Sequence, residues 1–128
     1  MWTHGKVYWN ELMTTDVEAA KAFYATTLGW SFNPMPMPEG IYHIVMLGED
    51  MVGGMMQMPA DMPPGIPSHW FTYFAVTDID ASVAALEAAG GKVIRPAWDV
   101  PGVGRIAIVQ DPTGTTMGWM TPAPMPMA

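Results

Sequence analysis

Residues 10–30 read NELMTTDVEAAKAFYATTLGW, and this stretch decides the fold because its pattern returns once along the chain. A shift of 62 positions places the segment 15–19 (TDVEA) over the segment 77–81 (TDIDA). Further matches follow in the same order: Gly29 with Gly91, Pro34 with Pro96 and, two positions later, Gly54 with Gly118. Matches that keep one order and a nearly constant offset indicate an internal repeat.

Each copy of the repeat has the pattern of a strand, a helix and three more strands. Residues 6–13 and 70–76 are rich in aromatic and β-branched types, which favour strands. Asp16 and Asp78 then predict helix N-caps, and the spacing of Thr15 and Glu18 matches a capping box. Three short strands should follow each helix, at 30–36, 41–47 and 51–58 in the first copy and at 92–98, 104–109 and 115–120 in the second.

The repeat therefore predicts an α+β protein built from two tandem βαβββ modules within a single domain of residues 1–128. The modules are expected at about 5–58 and 68–121. A proline-rich linker at 59–67 joins them, and a tail of proline and methionine follows at 122–128.

Composition excludes several classes of function. The chain has 128 residues, no cysteine and a formal net charge of −7, so thiolate chemistry is excluded and nucleic acid is a poor partner. Apolar runs are much shorter than the ~20 residues that cross a bilayer. The first residues also lack the apolar run of a secretory signal, so we expect a cytoplasmic protein without membrane partners.

The chain resembles the glyoxalase/bleomycin resistance protein/dioxygenase superfamily, also called the vicinal oxygen chelate superfamily. The resemblance rests on the phrases NEL at 10–12, TD at 15–16, AFY at 22–24, LGW at 28–30 and DPTG at 111–114, together with the repeat. It implies mixed sheets that curl around a concave cavity, and it also implies a homodimer.

The resemblance places the metal ligands of that superfamily on the first and last strands of each module. The corresponding residues are Trp9 and Phe71 on the first strands, and Gly54 and Gly118 on the last. None of them carries a donor group for a divalent metal, so we expect no metal and no cofactor. The alternative is an atypical metal site that uses His69, which precedes Phe71 by two residues.

The same comparison predicts a ligand-binding cleft of aromatic and methionine side chains. Strand alternation gives one face to Trp9, Glu11 and Met13, and the equivalent face of the other module to Phe71 and Tyr73. Met56 and Met120 should join them from the last strands. Glu11 is the candidate catalytic residue, because desolvation in an apolar strand would raise its pKa. The alternative is a structural carboxylate paired with a residue such as Arg105.

His43 and Arg105 are equivalent positions of the repeat, each on the middle of three final strands. Either side chain could enter the cleft and orient a ligand, or it could lie on the outer face of its sheet. We include both as candidate ligand-binding residues.

The leading functional hypothesis is a metal-independent protein that binds, and sequesters, an apolar or cationic small molecule. The alternative is a lyase, isomerase or dioxygenase of the same superfamily. It would be either metal-free, with Glu11 as general base, or dependent on an atypical metal site. A protein-interaction module that uses exposed Met-Pro loops is the third possibility.

Overall fold

A computed structural model describes residues 2–38, 40–59 and 65–123. Most of the predicted linker (60–64) and most of the predicted tail (124–128) lie outside the described residues.

The first module has the predicted order of elements. They are β1 (Val7–Thr14), α1 (Val17–Leu28), β2 (Ser31–Met37), β3 (Gly40–Leu47) and β4 (Asp50–Gln57). The strands lie in the order β2-β3-β4-β1. β1 pairs in parallel with β4, while β2–β3 and β3–β4 are antiparallel. This mixed sheet follows from the crossover helix, which returns the chain so that β4 runs alongside β1.

The second module repeats this order. Its elements are β5 (His69–Ala75), α2 (Ile79–Leu86) with a 3₁₀ turn (Glu87–Ala89), β6 (Lys92–Val100), β7 (Gly104–Gln110) and β8 (Thr116–Pro122). The strand order is β5-β8-β7-β6, with β5 and β8 parallel and the other pairs antiparallel. The predicted α+β fold of two βαβββ modules is thus confirmed, and each strand lies within two residues of its predicted limits at both ends.

The two helices begin as the sequence predicts. The Asp16 side chain accepts a hydrogen bond from Ala19 N–H at 3.0 Å, and Asp78 accepts one from Ala81 N–H at 3.2 Å. The predicted Thr15–Glu18 capping box is wrong, because Asp16 is the N-cap and Glu18 instead forms an ion pair with Lys21. α1 ends at Gly29, whose left-handed φ of 73° favours a residue without a Cβ.

The backbone forms two compact units whose boundaries differ slightly from those of the modules. One unit contains residues 9–71, and the other contains residues 2–8 and 72–123 of the described chain. The N-terminal segment belongs to the second of these, since Gly5 N–H donates to Ala75 O at 2.7 Å and Ala75 N–H to Lys6 O. We call the two units the N-terminal unit (9–71) and the C-terminal unit.

Each unit has its own apolar core beneath its helix. In the N-terminal unit, Leu12, Val45 and Met55 are buried against residues of α1. In the C-terminal unit, the core consists of Val76, Ile79, Leu86, Ala107 and Val109. Because side chains alternate along a strand, these residues also identify the sheet face that each helix covers.

The outermost strand of each unit contains proline. β2 has Pro34 and Pro36, and β6 has Pro96, near register shifts in its pairing with β7. Within the described residues, no helix is both long and apolar enough to cross a membrane.

Candidate functional site

The sheet of the N-terminal unit has one face turned away from α1. A row of four side chains crosses this face through successive strand pairs. The register joins Met13 of β1 to Met56 of β4, Met56 to Tyr42 of β3, and Tyr42 to Met35 of β2. Alternation also places Trp9 and Glu11 on this side, because the neighbouring Leu12 faces α1. We call these six residues together the Tyr42 face.

A hydrogen bond fixes the centre of the Tyr42 face. Trp9 Nε1 donates to the Tyr42 hydroxyl at 2.8 Å, joining residues from β1 and β3 across the intervening strand β4. The phenol ring passes over Gly54 of β4, where a Cβ atom would collide with it. The Tyr42 ring can therefore lie there only because Gly54 has no side chain.

Glu11 lies beside this hydrogen-bonded pair. Its side chain is only 8% exposed, and its Cα is in register with Gly54, over which Tyr42 lies. A carboxyl group in such a position has lost most of its hydration and must be compensated by polar contacts. The structure thus brings together four of the predicted residues: Trp9, Glu11, Met13 and Met56.

The C-terminal unit repeats the pairing of a tyrosine with a glycine. Tyr73 of β5 is in register with Gly118 of β8, and a Cβ atom at Gly118 would collide with the Tyr73 ring. Phe71 is half-buried two residues earlier, so alternation gives it the same side of β5. Met120 is 3% exposed and is in register with Ala75 and Ile106.

These arrangements do not fit a divalent metal at the positions that the superfamily uses. Gly54 and Gly118 have no donor atom, and tyrosine rings occupy the space that a longer side chain would need. No cluster of three or more His, Cys, Asp or Glu side chains suited to a metal occurs in the described part of the chain. His69, the alternative ligand, has its Nδ1 at 2.9 Å from Pro67 O.

His43 does not lie on the Tyr42 face, which corrects its prediction as a cleft residue. It alternates with Tyr42 along β3 and shares the α1 side with Val45. The side chain is 8% exposed, and its Nδ1 has no hydrogen-bond partner among the described residues. Burial lowers the pKa of His43 below its usual value, and the positive charge of Lys21 acts in the same direction.

The prediction that Arg105 lies in the cleft is corrected as well. Arg105 lies on the α2 side of β7, alternating with Ile106 and pairing with Asp80 at 3.1 Å and Asp99 at 3.2 Å. The hydrogen bonds that Arg105 donates to Asp80 are the main reason that the pKa of Arg105 rises above its usual value. Because both carboxylates are exposed, this network lies at the surface on the α2 side of the sheet.

Sequence reasoning missed Tyr42 and Met35. The repeat gave no signal for Tyr42, because a shift of 62 brings it onto Gly104. The neighbouring His43 attracted the functional interpretation instead. Alternation along β3 predicts that Tyr42 and His43 lie on opposite faces of the sheet. It does not predict which of the two lies on the face turned away from α1.

The sequence has clear relatives among known proteins. The family model for the Glyoxalase/Bleomycin resistance protein/Dioxygenase superfamily matches residues 7–117. "Putative glyoxylase CFP32" of Mycobacterium bovis is 42% identical over 121 residues, which cover 94% of this chain and 45% of that protein. "Anthracycline biosynthesis protein DauV" of a Streptomyces species is 33% identical, over 86% of this chain and 44% of that protein. The chain thus spans less than half the length of these relatives.

Solved structures show the same fold at low identity. Methylmalonyl-CoA epimerase from Mycobacterium tuberculosis has a TM-score of 0.70 and 16% identity, covering 97% of this chain and 94% of that one. The hypothetical protein BH1468 from Bacillus halodurans has a TM-score of 0.74 and 12% identity, covering 98% and 100%. Identity at this level supports the fold and leaves the activity to the site residues. With its repeated βαβββ modules and the family match over most of its length, the chain belongs to the glyoxalase/bleomycin resistance protein/dioxygenase superfamily.

Proposed function

We propose that this chain is a metal-independent small-molecule-binding protein that holds an apolar or cationic aromatic compound on the Tyr42 face. The observation that carries the proposal is the grouping of two hydrogen-bonded aromatic residues with three methionines and the buried Glu11. Methionine side chains adapt to ligands of irregular shape, and aromatic rings stack on flat ones.

The charge of the site favours a cationic guest. Glu11 is the acidic side chain of the Tyr42 face, and the chain as a whole has a net charge of −7. A negative field raises the local concentration of cations. The DauV relative is named for the biosynthesis of anthracyclines, which are planar aromatic compounds that often carry an amino sugar. An anthracycline with an amino sugar is therefore the probe that we would test first.

The other parts of this proposal rest on composition and on the family resemblance. They are a homodimer, a cytoplasmic location, and the absence of nucleic-acid and membrane partners. Phe71, Tyr73 and Met120 stay predicted ligand-binding residues on the same basis.

Binding can be tested by isothermal titration with an amino-sugar anthracycline and with its neutral aglycone. We expect saturable binding that is stronger for the cationic compound, and a loss of that preference in Glu11→Gln. Glu18→Gln is the matched control, because it makes the same change of charge on the exposed side of α1. Absence of binding by both compounds at high concentration would contradict the proposal.

The burial of Glu11 beside Tyr42 also supports a second candidate, a metal-free enzyme. In that case Glu11 would act as general base and remove the proton next to the carbonyl of a bound substrate. Exchange of that proton with D₂O, followed by NMR on thioester and 2-oxo compounds, tests this function. Exchange should stop in Glu11→Gln while binding persists. Equal exchange in both proteins would exclude Glu11 as the base.

A further inference from the structure

A groove of about 530 Å³ lies in the C-terminal unit, on the side of the sheet that α2 covers. Its lining includes Phe74 and Trp119 from the strands, Ala85 and Leu86 from α2, and Asp111 at the turn after β7. We call it the α2 groove. It is separate from the Tyr42 face, which belongs to the N-terminal unit.

The other module shows what this space can hold. Under the shift of 62, Ala85 and Leu86 correspond to Phe23 and Tyr24 of α1. In the N-terminal unit the Tyr24 ring stacks on Trp30 with centroids 5.0 Å apart, and the Trp70 ring packs edge-on against Tyr24 at 5.8 Å. Aromatic rings thus pack against one another beside α1 in that unit.

The smaller helix side chains leave the equivalent region of the C-terminal unit open. Alanine and leucine replace phenylalanine and tyrosine, while Phe74 and Trp119 stay partly accessible on the sheet. The volume lies in the range of small-molecule sites, which is ~300–1,000 Å³. An aromatic ring is the occupant that this surface fits, since the other unit provides its own rings there.

The polar side chains that line the α2 groove indicate which charge a bound compound should carry. Asp111 accepts hydrogen bonds through Oδ1 from Thr113 and Thr115, whereas its Oδ2 has no hydrogen bond within the described residues. These hydrogen bonds lower the pKa of Asp111 below its usual value, and the bond from the Thr113 hydroxyl has the largest effect. The carboxylate is therefore charged at neutral pH. His4 also lines the groove, but its Nδ1 accepts the Thr77 N–H.

We propose that the α2 groove is a second ligand site, which binds a flat aromatic amine. The ring lies against Trp119 and Phe74, and the ammonium group pairs with the free oxygen of Asp111. This site is independent of the Tyr42 face and goes beyond the function proposed for it.

Tryptamine is a suitable probe, because it joins an indole ring to an ammonium group, and 3-indolepropionate is its control with the opposite charge. We expect saturable binding of tryptamine by titration calorimetry, with NMR shifts at Ser82 and Gly91, which line the groove. Ala85→Phe introduces the residue of the other module and should weaken binding at least about tenfold. Ala84→Phe is the matched control, on an exposed neighbour outside the lining.

Asp111→Asn keeps an oxygen for the turn and removes the charge. It should abolish the preference for tryptamine over 3-indolepropionate. The NMR shifts distinguish the two sites, because binding in the α2 groove perturbs Ser82 and Gly91, whereas binding on the Tyr42 face perturbs Met13 and Met56. The proposal is overturned if tryptamine does not bind, if Ala85→Phe binds it as well as Ala84→Phe does, or if the shifts fall on Met13 and Met56 instead.

Discussion

The indole N–H of Trp9 donates to the Tyr42 hydroxyl at 2.8 Å, and this bond holds the phenol ring over Gly54. The family resemblance assigns a first-strand metal ligand to the position of Trp9 and a last-strand ligand to the position of Gly54. A hydrogen-bonded aromatic pair therefore occupies the region that a metal would need.

The Trp9–Tyr42 bond should be measurable as a coupling energy. Trp9→Phe and Tyr42→Phe each remove one partner and keep an aromatic ring. We expect a coupling of about 1 kcal/mol in a double-mutant cycle, the usual net value of such a bond. Urea unfolding of the four proteins supplies the free energies. Additive effects of the two substitutions would show that the bond contributes nothing to stability.

Gly54→Ala should destabilise the protein, because the new Cβ collides with Tyr42. Overpacking of this kind costs about 1–3 kcal/mol. The cost should fall sharply in a Tyr42→Ala background, where the ring is absent. Thermal unfolding of the single and double variants checks both statements. If Gly54→Ala lowers the stability equally with and without the Tyr42 ring, the loss of stability comes from the backbone of β4 and not from the collision.

Gly118→Ala should show the same dependence on Tyr73, whose ring covers that glycine. Its cost, again about 1–3 kcal/mol, should shrink when Tyr73 is replaced by alanine. The two cycles can be compared directly, since the glycines occupy equivalent positions of the repeat. A Gly118→Ala protein as stable as wild type would contradict the packing at β8.

His43 should make stability fall as the solution becomes acidic. Its pKa in the folded protein lies below the usual 6.5, so in that interval the unfolded chain binds more protons than the folded one. The contribution is fully present above pH 6.5 and is lost as pH falls toward the lower folded value. Urea unfolding between pH 7.5 and about 5 should show this slope reduced in His43→Gln but retained in the control His69→Gln. A slope that His43→Gln leaves unchanged would contradict the assignment.

Metal removal should not affect the protein. A metal bound tightly to the folded state would raise the melting temperature through mass action, and a chelator would reverse that rise. Because Gly54 and Gly118 offer no donors, we expect identical melting temperatures with and without EDTA. Elemental analysis of protein purified without metal affinity provides the second measurement. One tightly bound ion per chain would refute the ligand assignment.

The sequence predicted the fold well because its local signals agree with one another. Asp16 and Asp78 cap the helices, Gly29 ends the first, and the repeat assigns each later strand to a module. Alternation along β1 predicted that Trp9, Glu11 and Met13 share one face, and the strand register joins Glu11 to Gly54 and Met13 to Met56. These signals are local, or they recur at a fixed spacing, so a single sequence is enough to find them.

The site was harder to predict, because the choice of face for β3 depends on its register with β4. Tyr42 and His43 are neighbours, and exchanging their faces exchanges a residue of the Tyr42 face for one that is buried on the α1 side. Arg105 presented the same problem, which its pairing with Asp80 of α2 resolves. The Tyr42–Gly54 contact is equally invisible in the sequence, since it joins two strands through packing alone.

The prolines of the outer strands limit how copies of this protein can associate. Successive N–H groups of a strand point to opposite edges, so Pro34 and Pro36 remove two donors from the same edge of β2. β6 carries Pro96 beside an irregular register. Strand-to-strand addition, the route by which exposed edges seed fibrils, is disfavoured at both of these strands. Any association between copies is therefore expected to use side chains rather than the backbone edges of β2 and β6.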